Sequence, residues 1–132
     1  MADPLFRLVC SAGVLGAVPD GWVSTMLQEG DLALLVDDGG LEAIMALAHA
    51  LDRVTVPLLR IEETPAQQDS TVMSYAESKP LVWIAGGFGE AATRWAHQRG
   101  PMTLLVETGG DLPEEERRRI ERFVVILGRQ AE

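Results

Sequence analysis

Residues 81–108 read LVWIAGGFGEAATRWAHQRGPMTLLVET. An apolar run, Leu81–Ala85, stops at Gly86 and Gly87. Helical spacing then places Phe88, Ala91, Ala92, Trp95 and Ala96 in one stripe, with Glu90, Arg94, His97 and Gln98 opposite. A second apolar run, Met102–Val106, ends at Glu107. Neither run alternates polar with apolar, the habit of parallel strands covered on both faces. Parallel neighbours need a crossover, and the helix between them supplies it. The stretch therefore reads as strand, glycine turn, helix, strand.

The same grammar extends outward. Residues 32–64, LALLVDDGGLEAIMALAHALDRVTVPLLRIEET, run strand, Gly-Gly, Glu-Ala, Ala-His, strand and acidic end. Glu42 and His49, like Glu90 and His97, stand two turns apart on one helix face. Any two strand–helix–strand units share this pattern, so it speaks for an alternating α/β chain and not for a duplicated site. Apolar runs recur at Leu5–Cys10, Leu32–Val36, Val54–Ile61, Leu81–Ala85 and Met102–Val106. The spacing predicts helices between them. Asp20–Glu29 puts Trp22, Val23, Met26 and Leu27 on one face and ends at Gly30. Leu41–Arg53 is nearly all apolar and is expected to be mostly buried. Pro65–Ser78 opens with Thr64, Pro65 and Gln67, a capping box with proline at the first position. Gly89–Arg99 follows. The last helix starts at Pro113 with Asp111 as cap, three glutamates in its first turn and arginines after them, an order that suits the helix dipole. Phe123–Leu127 also has strand-like composition, but no turn residue separates it from the arginines, so helix is preferred. The expected fold is a single three-layer Rossmann-like α/β domain over residues 1–132, with about five mainly parallel strands flanked by helices.

Composition bounds the function. At 132 residues and 47% hydrophobic, the chain buries one real core and is not wholly disordered. A net charge of -9 argues against nucleic acid and anionic membranes as partners. One cysteine excludes an internal disulfide and a thiolate zinc cluster. No apolar stretch nears the roughly 18 residues that cross a bilayer. The N-terminal segment has no basic leader, and Asp3 stands where one is usually positive, so a cytoplasmic setting is expected. Ten arginines against one lysine, with no asparagine, resemble the codon bias of a GC-rich, bacterial genome.

Glycines gather at the ends of the strand runs. In an open parallel sheet those ends lie along one edge, where ligands bind if strand order reverses. Ser11 with Gly13, Gly39 with Gly40, and Gly86, Gly87 and Gly89 are the expected ligand-binding positions. The glycine backbones at 13, 39, 40, 86, 87 and 89 would hold phosphate beside helix starts. Glu42 and Glu90, just inside their helices, would touch a ribose or do acid–base work. Tight turns call for glycine without any ligand, and that is the competing account. Neither GxGxxG nor GxxxxGK[ST] occurs. Asp37, Asp38, Glu62, Glu63 and Glu107 crowd the same edge and would favour a sugar over phosphates. A capping and solvated role for these acids outranks a metal site. His49 and His97 sit on polar helix faces, as surface histidines do. No catalytic residue, metal ligand or cofactor is assigned, and whether the chain is an enzyme stays open.

Two resemblances add to this. Cys10 in LVCSAGVLGA resembles the phosphocysteine loop of phosphotransferase-system IIB enzymes, which implies a phosphoryl carrier. Val18, Pro19 and Asp20 depart from that loop, and a C-x5-R arginine is missing, so a buried core cysteine is the preferred reading. PLVWIAGGFGEAATRWAHQRG, residues 80–100, and LLVDDGGLEA, residues 34–43, resemble motifs of the SLOG superfamily, particularly the branch associated with TRPM channels. The resemblance covers about half the chain. It implies a Rossmann-like fold that binds nucleotides or their derivatives at glycine-rich strand ends. The turn Gly86-Gly87-Phe88-Gly89 lacks the polar residues common there.

The expected function is therefore a binding domain for a nucleotide or nucleotide derivative, without strong catalysis. The alternatives are a protein-interaction module that has lost the ligand, and a phosphocysteine carrier using Cys10. Trp83 lies in a strand and should be buried, whereas Trp22 or Trp95 is expected to be half covered and to anchor a homodimer.

Overall fold

The apolar runs pair side by side and all point the same way. In a computed structural model, which describes residues 4–16, 18–19, 21–36, 40–51, 57–59, 61–109 and 111–131, four strands are seen: β1 (Phe6–Ser11), β2 (Gly30–Leu35), β3 (Leu81–Ala85) and β4 (Thr103–Glu107). Their order across the parallel sheet is β2-β1-β3-β4. The helices are α1 (Ala12–Leu15), α2 (Trp22–Met26), α3 (Gly40–Ala50), α4 (Pro65–Ala76), α5 (Glu90–Arg99) and α6 (Glu114–Ala131), with a 3-10 turn at Gly100–Met102.

Alternate strand residues build two cores. Phe6, Leu8, Cys10, Leu32, Leu34, Val82, Ile84 and Val106 face one side, where α1, α2, α3 and α6 cover them. Val9, Leu81 and Trp83 face the other, under Val72 and Ala76 of α4 and Ala92 of α5. This two-sided cover is why the strands are apolar throughout.

Of the expected fifth strand, Val54–Ile61, residues 54–56 and 60 lie outside the described residues. Its described part makes one parallel bridge, Leu58 to Leu34, on the free side of β2. Pro57 accepts from the Leu34 N–H, and the Leu59 N–H donates to the Leu34 carbonyl. Proline has no N–H of its own, so position 57 itself donates nothing to the ladder. Counting that contact, the sheet runs Leu58-β2-β1-β3-β4.

Other boundaries moved for physical reasons. The helix expected over Asp20–Glu29 is five residues long, entered through Gly21 at φ +85. Gly30 does not end that helix but opens β2, where it pairs with Phe6. α4 keeps its capping box: Thr64 accepts from the Gln67 N–H, and Gln67 accepts from the Thr64 N–H. The stretch 123–127 is helical in α6, which buries Ile120, Val124 and Leu127 along one face. α3 is less buried than its composition suggests. Ile44, Leu47 and Ala48 are covered, but Leu41 is 67% and Met45 62% exposed.

Trp83 is buried as expected. Trp22 and Trp95 are both half-buried. The Trp22 indole donates to Glu121 of α6 at 3.2 Å, and the Arg99 guanidinium lies 4.5 Å over the Trp95 ring. Among the described residues no helix is long and apolar enough to cross a membrane.

Candidate functional site

Strand order reverses between β1 and β3. After β1 the chain leaves toward the α1 face, and β2 is laid on one side. After β3 it leaves toward the α5 face, and β4 is laid on the other. Two loops that part to opposite faces leave a crevice between them at the carboxyl ends of the strands. Register puts Ser11 level with Leu35 on one side, and Ala85 level with Glu107. The Val9–Trp83 pairing carries Ser11 to the same height as Ala85. The rim of the crevice is thus Leu35, Ser11, Ala85 and Glu107 in order across the sheet.

Gly86 and Gly87 follow Ala85 and are exposed. Neither has positive φ. A Cβ at Gly86 would stand 3.8 Å from the Thr108 carbonyl, and one at Gly87 3.7 Å from Glu107 Oε1, both ordinary contacts. Neither turn geometry nor packing requires glycine at these two positions. The Thr108 N–H donates to the Ala85 carbonyl at 2.9 Å and closes this end of the β3–β4 pair.

Gly89 is different. Its N–H donates to Asp69 Oδ2 at 3.0 Å, and a Cβ there would meet that oxygen at 2.9 Å. Asp69, from α4, so places a carboxylate on the amino end of α5, where the helix dipole favours an anion. A phosphate at Gly89 would have to displace it. Phe88, half-buried, turns inward with its ring 4.9 Å from Trp83, nearly perpendicular.

Ser11, Gly86 and Gly87 come together at the crevice, and exposed Gly13 lies one helix position from it in α1. Glu90 is exposed and ion-paired with Arg94 at 3.0 Å along α5. Glu42 is exposed on α3, beyond β2 and one strand further from the reversal. Gly40 opens α3, and Gly39, Asp37 and Asp38 lie outside the described residues. Glu62 is tied to α4 by the Thr71 hydroxyl at 2.8 Å, with its own N–H on Gln68 Oε1. His49 and His97 are exposed. Cys10 is fully buried on the α1 side of β1. Among the described residues no group of three or more His, Cys, Asp or Glu has metal-holding geometry.

Sequence reasoning missed Asp69, while Phe88 was read only as part of an apolar stripe. Asp69 had no local signal, because its partner lies far along the chain. A separate cavity of about 630 Å³ lies between α1, α3, and residues 18, 19, 21, 23 and 24, lined by apolar side chains such as Leu15, Val18, Val23 and Leu47. Of the expected site residues that are described, Gly13 alone lines it.

Comparison with protein-family models, with curated proteins and with solved structures finds no match. The class therefore rests on the fold: a Rossmann-like α/β domain with its strand order reversing beside a glycine turn.

Proposed function

We propose that the chain binds a nucleotide or nucleotide derivative in the crevice between the ends of β1 and β3, without strong catalysis. The observation that carries the reading is Gly86-Gly87: two exposed glycines at the strand-order reversal that neither backbone conformation nor packing demands. Bare backbone there lets a ligand lie against the peptide N–H groups. The SLOG resemblance of residues 80–100 points to the same class. Glu107 beside Gly87, and Asp69 already on the Gly89 N–H, set the polarity. Such carboxylates accept from sugar hydroxyls and repel phosphates, so the nucleoside portion faces this rim and phosphates lie toward Ser11 and Gly13. A cytoplasmic setting goes with this reading.

The exposed apolar side chains Leu41, Met45, Leu58 and Ile61 favour a second reading, a protein-interaction module. A thermal-shift panel of nucleosides, nucleotides and dinucleotides separates the two. Ligand at a hundred times its dissociation constant adds about 2.7 kcal/mol of stability. Gly87→Val should abolish that shift while the unliganded protein melts nearly as before. If no compound shifts the wild type, or the valine variant binds equally well, the crevice is not a ligand site.

A further inference from the structure

We propose that the outer face of α6 pairs antiparallel with the same face of a second copy of this chain. α6 is the longest helix described, and 18 residues make it about 27 Å long. Its inner face is used up by Ile120, Val124 and Leu127. On the opposite side Arg118, Arg122, Val125 and Arg129 recur at alternating spacings of four and three, the spacing of a helix-pairing seam. Ile126 flanks the seam, and both Val125 and Ile126 are more than half exposed. These residues share one solvent-facing side of α6 with Glu114, Glu115 and Glu121.

Charge chooses the occupant. The first turn of this face is acidic, with Glu114 and Glu115, and the last turn carries Arg129. Parallel pairing would set the acidic first turns against each other and Arg129 against Arg129. A twofold axis beside Glu121 and Arg122 instead brings Glu114 of one copy level with Arg129 of the other. The two Arg122 side chains flank the axis, each level with Glu121 of the other copy, and the apolar stem of Arg118 covers Val125. Each contact occurs twice, as closed symmetry requires. Trp22 contributes through its indole N–H, which holds Glu121 Oε1 and leaves the second carboxylate oxygen for the partner's arginine. The half-buried tryptophan thus positions a contact and is not itself the anchor. Elsewhere the net charge of -9 opposes association, whereas this face carries equal numbers of both signs.

Sedimentation velocity across the micromolar range tests this. The wild type should show a concentration-dependent dimer that weakens with salt. Glu114→Arg and Arg129→Glu should each raise the dissociation constant about tenfold or more, because each sets like charges together twice. Mixed in equal amounts, the two variants should recover the dimer, since arginine at 114 then meets glutamate at 129. That recovery also shows both variants are folded. A wild type that stays monomeric throughout overturns the proposal. So does a dimer that both variants keep, which would point to the Leu41–Met45 edge, and so does a mixture that fails to recover.

Discussion

A methyl group at position 30 has nowhere to go. A Cβ on Gly30 would stand 2.5 to 2.8 Å from three carbons of the Phe6 ring, which is wholly buried. Gly30→Ala should therefore cost about 1–3 kcal/mol in urea denaturation. Gly87→Ala, by contrast, should change stability by less than about 1 kcal/mol, since its Cβ meets only ordinary contacts. Glu77 has the reverse problem: it ends α4 at φ +50, a region that favours glycine. Glu77→Gly should raise stability by about 1 kcal/mol, relief of strain outweighing glycine's extra chain entropy. Tyr75 sets an alkaline limit. Burial raises its hydroxyl pKa above the ordinary 10.0, opposed by Arg7, whose guanidinium lies 4.7 Å over the ring, and aided by Asp31. Tyrosinate is thus less welcome in the folded state than in the unfolded one. Stability should hold below pH 10 and fall as pH rises from there through the folded value. A pH series of melting curves should show Tyr75→Phe without that loss. None of these single-residue facts was legible beforehand. Gly30 looked like a helix end because the sequence does not display which residue lies across from it.

At the scale of elements, what is local was readable and what is not local was hidden. The capping box of α4 involves residues three apart, and the expectation over 64–67 matches the observed bonds. Thr64→Ala should cost about 1 kcal/mol, checked by thermal denaturation. α6 was legible from its charge order and the absence of a turn, despite the β-branched run at 124–126. α3 misled, because composition measures how apolar a helix is and not how much surface is available to cover it. The clasp between Asp69 and Gly89 was invisible for a similar reason: it joins α4 to α5 across twenty positions. Asp69→Ala should cost about 1 kcal/mol and leave the amino end of α5 open to an anion. Anion-dependent stabilisation in sulfate titrations should then be larger in the variant than in the wild type.

For the whole molecule, the apolar runs announced a parallel α/β sheet but not its order. Order depends on which face each crossover takes, and right-handed crossovers allow several solutions. The observed β2-β1-β3-β4 places the reversal beside Gly86 and Gly87 and not beside Gly40. The glycines were therefore readable as a set, while their division into crevice and periphery required the fold. Ser11, Gly86 and Gly87 meet at the reversal, but Glu42 sits beyond β2.

That strand order also has a consequence in time. β1 is synthesised first yet ends up in the middle of the sheet. β2 arrives early and covers one side of it. The other side waits for Leu81–Trp83, more than half the chain later. Until then the growing chain carries an apolar strand with a bare edge, the kind of edge on which chains aggregate. Among the described residues no hairpin shortens the wait, because every strand pairing is parallel and joins distant residues. A nascent chain arrested before Pro80 should therefore cling to chaperones or to its own kind, and release should coincide with the emergence of β3 from the ribosome.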